Sequence, residues 1–204
     1  MTKDLIVLVA DGQQEITLKT LLTERRQSMG IQNITFDVFR HPRRDPGVFH
    51  EADKFLDLFM PPAYAHAIVL LDREWEGSPG DAQHQRQLIV QRMQLSGWPE
   101  DTFEVIVIDP ELEAWIWSTS EEVATVLRLS WQEIKEIAHS KGYWPAGWAK
   151  PTRPKELFTE ILRQQRRSSS DAIFQALARK VGLTRCQDPA FLLLCNRLRD
   201  WFSL

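Results

Sequence analysis

The stretch Ala67–Gly77, AIVLLDREWEG, constrains this chain more than any other. Ile68, Val69, Leu70 and Leu71 follow one another with no polar residue between them. A strand that is apolar on both faces has to be covered on both faces, as in a parallel sheet with helices above and below. The run ends abruptly in Asp72, with Glu74 and Glu76 close behind. In open α/β sheets ligands bind just beyond the carboxyl ends of the strands. Acids spaced i, i+2 at such an end offer oxygen ligands to a hard divalent cation. The plainer account is a solvated loop after a strand.

The rest of the chain repeats the strand–helix alternation. Leu5–Val9 is a second two-faced apolar strand, ended by Ala10-Asp11-Gly12. A helix over Gln14–Met29 follows, with Gly30 as its C-cap. Asn33–Phe39 alternates and reads as a strand nearer an edge. A Pro- and Arg-rich loop, His41–Gly47, leads to a short helix over Glu51–Met60, stopped by Pro61-Pro62. After the strand at 67–71, Asp81 caps a helix over Ala82–Leu95, and Phe103–Ile108 is the fourth strand. Asp109 then Pro110 before an apolar-periodic run predicts a helix with Asp109 as N-cap. Beyond Ser118 the pattern is helical only. A capping box at Ser130–Glu133 opens a helix to Ser140, and further helices are expected over Lys155–Arg166, Asp171–Val181 and Pro189–Phe202. The expected architecture is α/β: a doubly wound, mainly parallel sheet of four strands in residues 1–128, with a helical C-terminal extension in residues 129–204 packed on it. The strands at 5–10 and 67–72 are expected to be neighbours.

A chain of 204 residues with 43% hydrophobic content is an ordinary globular protein rather than a disordered or fibrous one. Cys186 and Cys195 match neither a metal spacing nor a disulfide framework, which points to a reducing compartment. The apolar run in MTKDLIVLVADG is too short for a signal or membrane segment, so a cytoplasmic protein without membrane contact is expected. Charge is unevenly divided. Residues 1–140 carry 13 Lys/Arg against 23 Asp/Glu, and residues 141–204 carry 12 against 5. An acidic front and a basic back suit a metal site beside a polyanion-binding surface, or two halves that attract each other.

Three strands end in carboxylates: Asp11 with Glu15, Asp72 with Glu74 and Glu76, and Asp109 with Glu111 and Glu113. Neighbouring strands lie about 4.8 Å apart, so these groups can converge on one or two ions. Acids that close repel one another without a cation. Mg²⁺ or Mn²⁺ among them would clamp a phosphate and activate a water. Capping alone is the competing account for Asp109, and for Asp11 with Glu15 beside the helix dipole.

The ordered set Asp11-Gly-Gln-Gln-Glu15, Asp72-Arg-Glu74 and Pro110-Glu-Leu-Glu-Ala-Trp115, each after a strand, resembles the Toprim fold. It looks closest to the small bacterial Toprim-like proteins related to OLD-family nucleases, often linked to phage defence. The resemblance covers residues 4–120. It implies metal-dependent phosphodiester hydrolysis, with Asp11 and Glu15 handling the proton and Asp72, Glu74, Glu76, Asp109, Glu111 and Glu113 available to the metal. Two positions depart from the family pattern: Asp11 stands for Glu, and Glu74 for Asp.

In the C-terminal third, Tyr143, Trp144 and Trp148 are interleaved with cations. Lys150, Arg153, Lys155, Arg163, Arg166 and Arg167 are the candidate contacts to DNA or RNA, since aromatic rings stack bases and cations neutralise phosphates. Core-covering tryptophans and solvated cations are the alternative. The five histidines have no ligand spacing. Two other functions stand beside the nuclease. One is a non-catalytic Toprim-like subunit that binds nucleic acid or a protein partner in a defence complex. The other is a nucleotide-binding regulator, disfavoured because no Gly-rich phosphate loop is present.

Overall fold

The computed structural model describes residues 2–117, 120–180 and 186–204. Its frame is one four-stranded sheet, β1 (Lys3–Val9), β2 (Phe36–Arg40), β3 (Tyr64–Asp72) and β4 (Phe103–Ile108), in the order β2-β1-β3-β4. Every pairing is parallel; Val7 faces Ile68, and Asp72 faces Ile108. The two-faced strands at 5–10 and 67–72 are neighbours at the centre of the sheet, as expected. The alternating strand β2 lies at the edge.

The helices divide between the two faces. On one face, Leu5, Val7, Val9, Ile68, Leu70, Ile106 and Ile108 share a core with α1 (Gly12–Glu24) and α2 (Arg26–Met29). That core continues into α5 (Glu121–Leu127), α6 (Trp131–Ser140), α7 (Pro154–Gln164), α8 (Asp171–Lys180) and α9 (Pro189–Phe202). On the other face, Ile6, Leu8, Ala67, Val69, Leu71, Val105 and Val107 pack against α3 (Arg44–Leu56) and α4 (Ala82–Leu95). The chain therefore leaves β1 towards one face, through α1, and leaves β3 towards the other, through α4. That divergence opens a crevice at the carboxyl ends of β1 and β3, the place where doubly wound sheets bind ligands.

Several boundaries differ from expectation. The first helix begins at Gly12, capped by Asp11, and breaks at Arg25; Gly30 does close the second piece, in the left-handed region at φ 75°. The segment Arg44–Gly47, expected as loop, is the first turn of α3. Pro46 is accommodated there because the leading amides of a helix have no internal partner. Asp109 is not an N-cap. The backbone bends at Asp109 and Pro110, Glu111 is extended, and a short 3₁₀ turn, Leu112–Trp115, follows. The cap comes instead from the neighbouring strand, where Asp72 accepts from the Leu112 amide at 3.1 Å. Asp81 and the Ser130–Glu133 capping box behave as read. Helix α5 has only a short apolar pattern and was not anticipated. The expected end of α8 at Val181 lies outside the described residues, as does Ser118. No helix among the described residues is long and apolar enough to cross a membrane. Cys186 and Cys195 are buried free thiols.

Candidate functional site

The crevice is built around Asp72. It is the last residue of β3 and is 7% exposed. Its Oδ1 accepts from the Gln14 side-chain amide at 3.0 Å as well as from Leu112. Gln14 is fully buried in the first turn of α1, and its Oε1 accepts from the Ala10 amide at 2.9 Å. One glutamine thus ties the end of β1 to the carboxylate ending β3. On the other side, the Asp72 amide donates to Oδ1 of Asp45 at 2.8 Å, which anchors the first turn of α3. Asp11 uses its Oδ1 to cap α1, accepting from the Gln13 and Gln14 amides at 2.9 Å each.

Burial and mutual repulsion govern the charges here. Desolvation, then the charges of Asp45, Glu113 and Asp11, push the Asp72 carboxyl well above the usual carboxylate range. Asp45 is raised by burial and by Asp11. Glu113, 3% exposed, is pushed up to about 7, chiefly by burial, with Glu111 and Asp11 adding to it and Lys155 opposing. Among the described residues, the cation in direct contact comes from the C-terminal third: Lys155 Nζ lies 2.7 Å from Glu111 Oε2. Burial works against its charge, but the bond to Glu111 and the charges of Glu113, Glu111 and Asp72 outweigh that and raise its pKa. Glu111 itself remains raised, since burial exceeds the effect of Lys155.

Asp11, Asp72 and Glu113 are therefore brought into electrostatic reach of one another, with Glu111 acting on Glu113, and other sequence candidates are turned away. Glu15 pairs with Lys19 and Arg40. Asp109 and Glu74 are both held by Arg73, with Glu74 still near enough to act on Glu111, and Glu76 is exposed. Of the proposed nucleic-acid contacts, Lys150 is bonded to Ala114 and Asp188 inside the fold, and Arg163 lies along Glu160. Arg167 donates to Gln165, while Arg153 and Arg166 are exposed. Trp144 is buried, donating to the Trp148 carbonyl; Trp148 is 62% exposed. Gln14 and Asp45 are the residues sequence reading missed. Gln14 stands inside the Asp11–Glu15 motif, but nothing local distinguishes it from Gln13.

The donor set is one of hard oxygens, the chemistry that suits Mg²⁺ or Mn²⁺. As placed, no three or more His, Cys, Asp or Glu side chains among the described residues are arranged to hold a metal ion. The bonds made by Asp11, Asp45 and Asp72 all fall on Oδ1. Next to the cluster opens a groove of about 640 Å³ whose walls include Glu74, Glu111, Tyr143, Lys155, Glu156 and Glu160. Comparison of the chain with protein-family models, curated proteins and solved structures finds no match. The fold and crevice define a doubly wound α/β protein with an acidic centre at its topological switch point.

Gln14 gives a direct measure of how firmly this centre is held. Gln14→Leu keeps the volume but strands the buried Ala10 amide and removes a donor from Asp72. It is expected to lower unfolding free energy by roughly 1–3 kcal/mol, read from urea denaturation. A loss below about 0.5 kcal/mol would mean the bridge contributes little.

Proposed function

We propose that the crevice is the site of metal-dependent phosphodiester hydrolysis, the Toprim-type activity implied by the sequence resemblance, in defence against phage or plasmid DNA. The observation that supports it most is the meeting of acids at the switch point: the buried Asp72 and Glu113 with the half-buried Asp45 and Asp11. Asp11, Asp45 and Asp72, with Glu113, would hold Mg²⁺ or Mn²⁺ only by drawing their carboxylates closer together than they stand. When bound, the ion supplies neutralisation of this cluster and polarisation of the phosphodiester. The chain's own residues do the rest. Gln14 fixes the orientation of Asp72, and Asp45 sets the end of β3.

A second reading is a non-catalytic subunit that binds nucleic acid or a protein partner in a defence complex. It is favoured by Lys155, which already supplies a positive charge to the cluster. Incubating the purified protein with Mn²⁺ and supercoiled plasmid, single-stranded DNA or RNA separates the two. Cleavage that chelator stops and Asp72→Asn reduces to background supports the hydrolase. An absence of cleavage on all three substrates, with the protein folded and binding a partner stably, supports the subunit.

A further inference from the structure

We infer that the arginine loop Arg40–Arg44, not the basic C-terminal third, is the phosphate-gripping wall of the site, and that it takes a phosphodiester of a nucleic acid. The inference rests on the proposed hydrolase reading for its choice of ligand, and on an independent cavity for its place. That cavity, about 340 Å³, opens at the carboxyl ends of β1 and β2 and is lined by Ala10, Asp11, Gly12, Arg40, His41, Pro42 and Arg44. It shares Asp11 with the acidic centre, so a phosphate held there lies beside the acids.

Three arginines fall within five residues, and each is exposed. Arg40 reaches Glu15 at 2.8 Å and Arg43 pairs with Glu51, while Arg44 makes no ion pair or side-chain hydrogen bond to another described residue. Its backbone sits at φ 51°, a left-handed conformation that glycine or asparagine would adopt more cheaply. The loop is held in shape from beneath. His41 is 5% exposed, its amide donates to the Val9 carbonyl at 2.9 Å, and its Nδ1 accepts from the Arg43 amide at 3.2 Å. A Cβ on Gly47 would stand 1.9 Å from that ring nitrogen, so only glycine lets α3 pass so close. Gly12 lies on the cavity floor beside Arg40 and the Asp171 carboxylate: a Cβ there would meet Arg40 Nη1 at 3.3 Å and Asp171 Oδ1 at 3.6 Å, contacts that a small side-chain shift relieves. Arginine forks match phosphate oxygens in geometry. The same first turn carries Asp45, which is bonded to Asp72, so the cationic wall and the acidic centre are set by one element. By contrast the large groove beside Lys155 has four acids in its walls, a poor surface for a polyanion.

The test is binding rather than turnover. Fluorescence anisotropy of the full chain with a fluorescein-labelled 15-nucleotide single-stranded DNA, and with RNA of the same length, is measured in chelator across salt. Arg44→Ala is expected to weaken binding roughly tenfold and Arg44→Glu further. The slope of log affinity against log salt should become shallower by about 0.7, the value for one lost phosphate contact on a single strand. The triple change Arg163→Ala, Arg166→Ala, Arg167→Ala should leave affinity within about twofold. Unchanged affinity and slope in both Arg44 variants overturns the inference, as does a wild-type chain that binds neither strand. A chain that binds through Arg44 yet cleaves nothing with Mn²⁺ leaves the wall standing and removes the hydrolase. Cleavage with binding indifferent to Arg44 does the reverse.

Discussion

In chelator, the protein is expected to lose stability as pH rises from about 5 to 7, and Glu113→Gln to remove most of that loss. The direction follows from where the proton sits. Unfolded, Glu113 titrates near 4.5; folded, it is pushed up to about 7, because it is buried and faces Glu111 and Asp11, with Lys155 opposing. Below 4.5 both states carry the proton and its full contribution is present. Between the two values the unfolded chain releases a proton that the folded chain keeps, so stability falls with rising pH and levels off above 7. A shift of that size corresponds to a loss on the order of 3 kcal/mol. Asp72, raised in the same direction, adds to the slope. Lys155 opposes it, which is why the glutamine variant is compared with the unmutated chain rather than with Lys155 removed. Carboxylates held low, such as Asp37 beside Lys3, lose their contribution on the acid side, so maximal stability should lie near pH 5.

The same experiment reports on the cation. An ion bound only to the folded state stabilises it by mass action, and it favours the ionised acids. Millimolar Mn²⁺ should therefore raise the melting temperature more at pH 8 than at pH 5, and Asp72→Asn should blunt that gain. Asparagine keeps an Oδ1 acceptor for Gln14 and Leu112, so the fold is not the casualty. A chelated protein equally stable at pH 5 and 8 would mean these acids do not share the crevice in solution. A Mn²⁺ response untouched by Asp72→Asn would place the ion elsewhere.

Lys155→Met carries the second large effect. Methionine retains most of the stem and removes the charge that Glu111, Glu113 and Asp72 all face. Stranding one partner of a fully buried ion pair costs about 3–5 kcal/mol, but Lys155 is itself half exposed, so solvent screening reduces the expected loss to roughly 1–2 kcal/mol at pH 8. It should shrink towards pH 5 as the acids take up protons. The double change Lys155→Met, Glu111→Gln should recover part of it. Because Lys155 competes with any added cation, the single variant should also gain more from Mn²⁺ than the unmutated chain does. A loss independent of pH, with no change in the Mn²⁺ response, would make Lys155 a packing residue of α7 and nothing more.

The consecutive apolar residues of Leu5–Val9 and Ile68–Leu71 were sufficient to define a parallel sheet covered on both sides, because hydrophobic burial is demanded residue by residue along a strand. They also placed both strands at its centre, and so put Asp11 and Asp72 at one edge. Local chemistry read equally well where donor and acceptor lie within four residues, as at Asp81 and in the Ser130–Glu133 box. The route of the chain after each strand was a different matter. Asp109, Glu74 and Glu76 have the spacing of site acids, yet Arg73 and solvent take them, since an exposed carboxylate gains as much from either. Asp72 caps the turn at Leu112 from another strand, displacing the nearer Asp109, because a buried amide and a buried carboxylate both need a partner. Gln14, Asp45 and Lys155 enter the centre from three separate helices, at sequence distances of 58, 27 and 44 from the acids they bond. Sequence determined which residues had to be buried and where the strands end; only tertiary packing decided which polar groups would meet there, because a hydrogen bond or an ion pair depends on angstroms that no periodicity encodes.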